Sequence, residues 1–267
     1  MRMRNRDHTI SRPDWFRIFL ICAGIIFFSI PPSLARDDVF IGRFSSDIPG
    51  KKVPSQWEPL LFKSISRHTN YSLVKDAGQT VVKAVCHGSS SGLIRYIRID
   101  PEKYPIIEWR WKISNIFKKG DVTRKAGDDY PARLYIAFEF NPENAGLIER
   151  AKYKTLKLFF GKTPPAGAIN YIWASKAPDG TVVPSPYTGQ SIMMVVQSGN
   201  AEVNRWITEK RDIIADYMTA FGKKPPMITA IAIMSDGNDT GESAVAYYGD
   251  IVMRGRDIGR ERGPGGE

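Results

Sequence analysis

Apolar and polar residues alternate along much of the chain with a period of two, which puts one side of a strand in a core and the other in water. In Ile106–Ile113, Ile107, Trp109, Trp111 and Ile113 fall on one side, and Glu108, Arg110 and Lys112 on the other. In Ala132–Phe140, Leu134, Ile136, Phe138 and Phe140 oppose Arg133, Tyr135 and Glu139. Ser191–Gln197 and Met227–Met234 are more continuously apolar, as central strands are. Further strand-like runs cover Tyr71–Lys75, Thr80–His87, Leu93–Ile99, Ile169–Ala174 and Ala244–Ile251, with turn formers between them. Short strands at this spacing predict a mainly β fold, an antiparallel β-sandwich.

Two helical segments interrupt the strands. Asn141-Pro142-Glu143 is a helix start, followed by an apolar stripe of Leu147, Ile148, Ala151, Leu158 and Phe159 that Gly161 closes. Arg150, Lys152, Lys154 and Lys157 make its other face basic, so residues 144–160 offer a peripheral membrane contact, or else a solvated face. The second segment is Asp212–Phe221, stopped by Gly222; Val203, Trp206 and Ile207 before it fit a helix or a strand equally.

Composition adds a compartment. Arg2, Arg4, Arg6, Arg12 and Arg17 surround or precede the thirteen apolar residues Ile18–Ile30, and Pro31-Pro32-Ser33-Leu34-Ala35 follows. A basic start, a short apolar run and a small-residue exit predict a signal peptide over 1–35 and export to the periplasm or medium, with an uncleaved membrane anchor as the alternative. Five Arg and two Asp would leave with that segment, taking the formal charge of the 267-residue chain from +10 to +7. The rest divides into a single domain over 36–253 and a polar, Gly-rich tail over 254–267, expected to be disordered. Cys22 would be removed too, leaving Cys86 in an apolar run as a buried small hydrophobe without a disulfide partner. With His68 and His87 the only remaining histidines, a structural zinc site is not expected.

Three motifs bear on chemistry. Gly88-Ser89-Ser90-Ser91-Gly92 fits G-x-S-x-G, but a strand follows it and no His lies beyond, so it reads as a hairpin loop. Lys125–Arg133 is dense in charge and turn formers, and Asp128 and Asp129 serve either as turn residues or as ligand-binding carboxylates. Asp236, Asn238 and Thr240, with Gly241 at the sixth position, resemble the opening of a calcium loop that Glu242 or Asp250 would complete; position twelve is Tyr247, which excludes an EF-hand. Tyr135, Tyr171 and Trp173 sit beside polar residues and are platform candidates for a sugar ring.

Trp57-Glu58-Pro59, Ser91-Gly92-Leu93, Tyr104-Pro105, Trp109-Arg110-Trp111-Lys112, Gly127-Asp128-Asp129-Tyr130-Pro131-Ala132-Arg133 and Asn170-Tyr171-Ile172-Trp173 together resemble the family of unknown function DUF3047. Asp216-Tyr217, Phe221-Gly222, Asp239-Thr240-Gly241-Glu242-Ser243 and Tyr248-Gly249-Asp250-Ile251 extend the resemblance over about residues 40 to 252. It implies no activity; its strand order resembles galactose-binding-like jelly rolls. The residues therefore predict an exported, non-catalytic module that binds a carbohydrate or other polar envelope ligand on a charged sheet face. That face would comprise Glu108, Arg110, Arg133, Tyr135 and Glu139, with Asp128 and Asp129 at its rim and Tyr171 and Trp173 stacking. The alternatives are a glycan hydrolase pairing Asp128 or Asp129 with Glu108 or Glu139, and an envelope protein docked through its basic helix. Nucleic acid is not an expected partner.

Overall fold

A computed structural model describes residues 38–139 and 167–256. The described chain forms thirteen strands and one helix. The strands are β1 (Val39–Gly42), β2 (Glu58–Leu60), β3 (Asn70–Asp76), β4 (Gln79–His87), β5 (Ser90–Ile99), β6 (Ile106–Ile113) and β7 (Tyr130–Phe138). They continue with β8 (Gly167–Ala174), β9 (Val182–Ser185), β10 (Thr188–Ser198), β11 (Ile207–Asp212), β12 (Ile228–Asp236) and β13 (Ser243–Arg254). The helix, α1, is Ile213–Phe221. The helical stretch expected over 144–160, with its membrane contact, and the tail beyond residue 256 lie outside the described residues.

Two sheets stack face to face. One runs β11-β6-β13-β4-β3 with β1 also on β13; the other runs β2-β5-β12-β7-β8-β10-β9. Neighbours are antiparallel except β8 and β10, which are parallel. The mainly β sandwich expected from the alternation is the architecture found. The two edge strands of the seven-stranded sheet carry Pro59 and Pro184, residues that cannot complete a ladder on both sides.

The inward faces meet along an aromatic seam. Trp109 and Trp111 of β6 face Tyr171 and Trp173 of β8: Trp109 stacks on Tyr171 at 5.1 Å, and Trp111 lies 6.0 Å from Trp173. All four rings are buried, and each such aromatic pair contributes about 0.5–1.5 kcal/mol beyond its area. β11 escaped a clear periodic reading because Glu209 occupies a buried position on it, where it accepts from Nε1 of Trp111 at 3.2 Å. α1 closes one end of the seam, with Tyr217 4.5 Å from Phe138. Asp212 caps it by accepting from the amides of Ile214 and Ala215, and Gly222 ends it at φ 68.

Two expectations about connections are corrected. Gly88–Gly92 is not a hairpin loop: β4 and β5 belong to different sheets, so the chain crosses the sandwich there. Arg254 closes β13 and pairs with Asp38 at 2.5 Å, so the ordered domain runs past residue 253.

Candidate functional site

The outer face of the seven-stranded sheet, away from the aromatic seam, carries the densest polar constellation among the described residues. On β7 the inward set is Ala132, Leu134, Ile136 and Phe138, so Arg133 and Tyr135 turn outward. Register places Met234 of β12 opposite Arg133, and Ala232 opposite Tyr135. On the other side Tyr135 is opposite Asn170 of β8, which in turn faces Met193 of β10. Cross-strand partners share a face, so Tyr135 and Asn170 stand side by side.

At the end of this face, where β7 begins and β12 ends, two carboxylates, Asp236 and Asp128, flank one guanidinium, and a third, Asp129, neighbours Asp236. Arg133 donates through Nε and Nη2 to Asp236 at 2.8 and 2.6 Å, a bidentate fork. Its Nη1 donates to the Tyr135 hydroxyl at 3.0 Å and its Nη2 to the Asp128 carbonyl. The Tyr130 ring lies 4.2 Å beneath it. Asp129 accepts from the Thr240 amide at 2.5 Å. Asp128, Asp129, Arg133 and Asp236 are each at most 4% exposed.

The electrostatics follow from burial. It pushes the Asp236 carboxyl up to about 7 even though Arg133 pulls it down. Burial also raises Asp128, again against Arg133, and lifts the Tyr135 hydroxyl to about 12. For Arg133 burial acts downward, but Asp236, Tyr135 and Asp128 outweigh it and the guanidinium stays charged.

Arg133 spends its donors on protein and is a post, not a free fork for a ligand. The unspent groups lie around it. Asp128 Oδ1 lies 3.5 Å from Arg133 Nη2, an ion-pair separation without a hydrogen bond. Asp129 Oδ1 and both polar atoms of Asn170 are buried and have no hydrogen-bond partner among the described residues. Asn170 is 1% exposed. An orphaned buried polar group costs about 1–3 kcal/mol, so each one calls for an explanation.

The other expected site residues lie elsewhere. Glu108 and Arg110 are on β6, in the six-stranded sheet, so their outward side chains cannot join Arg133 and Tyr135 on one face. β6 and β7, though consecutive in sequence, belong to different sheets. Glu139 follows the end of β7 and takes both terminal nitrogens of Arg98 at 3.0 Å on the exterior. Neither glutamate can partner Asp128 or Asp129. Tyr171 and Trp173 are not platforms: they point into the core, and the outward positions between them and beside them belong to Asn170 and Ile172. The calcium set does not converge either. Asp236 is committed to Arg133; Glu242 accepts from the amides of Lys118 and Lys119, at 3.1 and 2.9 Å; Asn238 donates to Asp239. Asp250 belongs to the other sheet, where it accepts from Ser45. Among the described residues no group of three or more His, Cys, Asp or Glu is arranged to hold a metal.

Asn170 was the residue the alternation passed over. Its signal was a carboxamide at the centre of an otherwise apolar strand, where neither Asn's turn preference nor solvent explains it.

A family model described as "Protein of unknown function (DUF3047)" matches residues 55–252. No curated protein sequence matches the chain. Among solved structures, the endoglucanase cel12A from Rhodothermus marinus is 8% identical, with 81% of this chain and 99% of that one covered at a TM-score of 0.41. Endoglucanase 3 of Trichoderma harzianum, from family GH12, is 8% identical over 82% and 98%, also at 0.41. An exo-beta-agarase is 13% identical, over 83% of this chain and 25% of that one, at 0.35. No residue role is carried over from them.

Proposed function

The chain belongs to the DUF3047 family, and since membership brings no activity with it, we propose from the site itself that the protein is an exported, non-catalytic module that binds a hydroxyl-rich ligand, a glycan. The ligand is held on the outer face of the seven-stranded sheet. The observation that carries this is Asn170: a buried carboxamide whose donor and acceptor have no partner among the described residues, in register with Tyr135. One amide facing a vicinal pair of hydroxyls exchanges two hydrogen bonds, and the unused oxygens of Asp128 and Asp129 accept from further hydroxyls. Arg133 and Asp236 hold Tyr135 and the start of β7 in position. Ala232, opposite Tyr135 on β12, leaves the floor low beside it.

Titration calorimetry with a panel of soluble neutral oligosaccharides tests the reading. At least one member binds the wild type, and Asn170→Ala and Asp129→Asn weaken it about tenfold or more, the value of one or two well-made polar contacts. A panel that is uniformly silent, or binding indifferent to both substitutions, counts against it.

A second reading keeps Asp128 and Asp129 as a hydrolytic pair. Its support is the raised Asp128 carboxyl beside a second carboxyl with a free oxygen. Reducing-end release from the bound oligosaccharide, lost in Asp128→Asn, would select it over simple binding.

A further inference from the structure

The six-stranded sheet has an outer face that the site above does not use. β6 turns Glu108, Arg110 and Lys112 outward. Thr208 and Lys210 of β11 are in register with Arg110 and Glu108. On the other flank Tyr247 of β13 is in register with both Lys112 and Lys83 of β4, so Lys112, Tyr247 and Lys83 form a row across three strands.

Aromatic rings and cations interleave on this face. The Arg110 guanidinium lies 4.5 Å from the Trp206 ring, and the Lys112 ammonium 5.3 Å from the same ring and 4.4 Å from that of Tyr247. The two rings are 6.4 Å apart. Arg110 is also fixed from below. A Cβ at Gly249 would come within 2.4 Å of its Nε and 2.5 Å of its Cγ, so glycine alone lets the side chain lie flat on β13 beneath the indole. Its Nη2 donates to the Gln79 side chain. A guanidinium held this way has lost its rotamer freedom before any ligand arrives.

The carboxylates of the face are spoken for. Asp76 accepts from Lys112 at 2.5 Å and from Trp206 Nε1 at 3.0 Å, while Glu108 lies 3.7 Å from Arg254. Arg110, Lys83 and Lys210 have no carboxylate within ion-pair distance among the described residues. They sit on three different strands of one sheet, with neighbouring strands about 4.8 Å apart.

We propose that this face binds an acidic polysaccharide: Arg110, Lys83 and Lys210 take carboxylates of successive uronate-type sugars laid across the strands, and Trp206 and Tyr247 take the apolar faces of the rings. Charge complementarity selects a polyanion, and the paired rings select one built of sugars. A lipid surface fits poorly, because Tyr96 and Val182 belong to the seven-stranded sheet, Leu61 and Tyr187 adjoin its strands and Met218 lies on α1, so these exposed apolar side chains offer this face no anchor. The inference stands on different residues from the site around Asn170, and either can fail alone.

The experiment is affinity electrophoresis and calorimetry of the full chain with oligogalacturonate, a neutral galactose oligomer of equal length, and anionic phosphatidylglycerol vesicles. Oligogalacturonate is expected to bind, more weakly as salt rises. Arg110→Gln weakens it about tenfold or more, as expected of a charge-assisted pair. The double variant Lys83→Gln/Lys210→Gln, at side chains with no carboxylate partner among the described residues, weakens it by about three- to tenfold and keeps the test decisive if Arg110→Gln fails to fold. The proposal is overturned if the double variant binds like wild type, if the neutral oligomer binds as tightly in the same variants, or if vesicles bind with the same dependence on these cations.

Discussion

Arg133 shows how one side chain can organise a cluster of buried polar groups. Its guanidinium holds Asp236, Tyr135 and the Asp128 carbonyl at once. Replacing it with Met leaves three carboxyls buried with no cation, and breaking a buried pair in this way costs about 3–5 kcal/mol. Urea unfolding at neutral pH is expected to show a loss of that size. The same cluster sets a pH dependence. Asp236 titrates near 7 when folded, above the ordinary carboxylate range. Between the two values the folded state keeps a proton that the unfolded chain has lost, so stability falls as pH rises through that window. Asp128 and Glu209, raised by burial, act in the same direction. Asp121, held down to about 2 by Thr123 and Arg124, acts oppositely and loses its contribution as the pH falls towards that value. The unfolding midpoint is therefore expected to be higher at about pH 5 than at about pH 7.5, with Asp236→Asn narrowing the gap. A midpoint that climbs steadily to pH 7.5 contradicts the assignment.

Elements were legible wherever an alternating face met a continuous core. β6 matched its expected bounds because Ile107, Trp109, Trp111 and Ile113 leave no other register. The helix at Ile213–Phe221 was legible from its ends, Asp212 and Gly222, more than from its middle. Asp212→Ala removes two capping bonds and is expected to cost about 1 kcal/mol, read as a lower thermal midpoint; an unchanged midpoint would mean that tertiary contacts alone hold α1. The short strands β1, β2 and β9 carry too few residues for a period to show. What no local pattern contains is pairing. Glu108 and Arg133 were expected on one face because their strands follow one another, yet β6 and β7 go to opposite sheets. Tyr171 and Trp173 were misjudged for a related reason: polar neighbours in sequence are, on a strand, residues of the opposite face.

At the scale of the molecule the sandwich separates its tasks. The inner faces share an aromatic seam that supplies cohesion without a disulfide among the described residues, where Cys86 is a free, buried thiol. That independence suits the oxidising compartment to which the first thirty-five residues are proposed to direct the chain. The outer faces diverge. One carries orphaned hydrogen-bonding groups around Asn170 and suits hydroxyls; the other carries uncompensated cations and rings around Arg110 and suits carboxylates.

Asn170→Leu tests the central claim most directly, because it sets stability against binding in one protein. If the carboxamide is kept for a ligand, removing an unsatisfied buried amide leaves the thermal midpoint unchanged or raises it, while affinity for the oligosaccharide identified by calorimetry drops about tenfold or more. A lowered midpoint with affinity intact would make Asn170 a structural residue and would contradict the account.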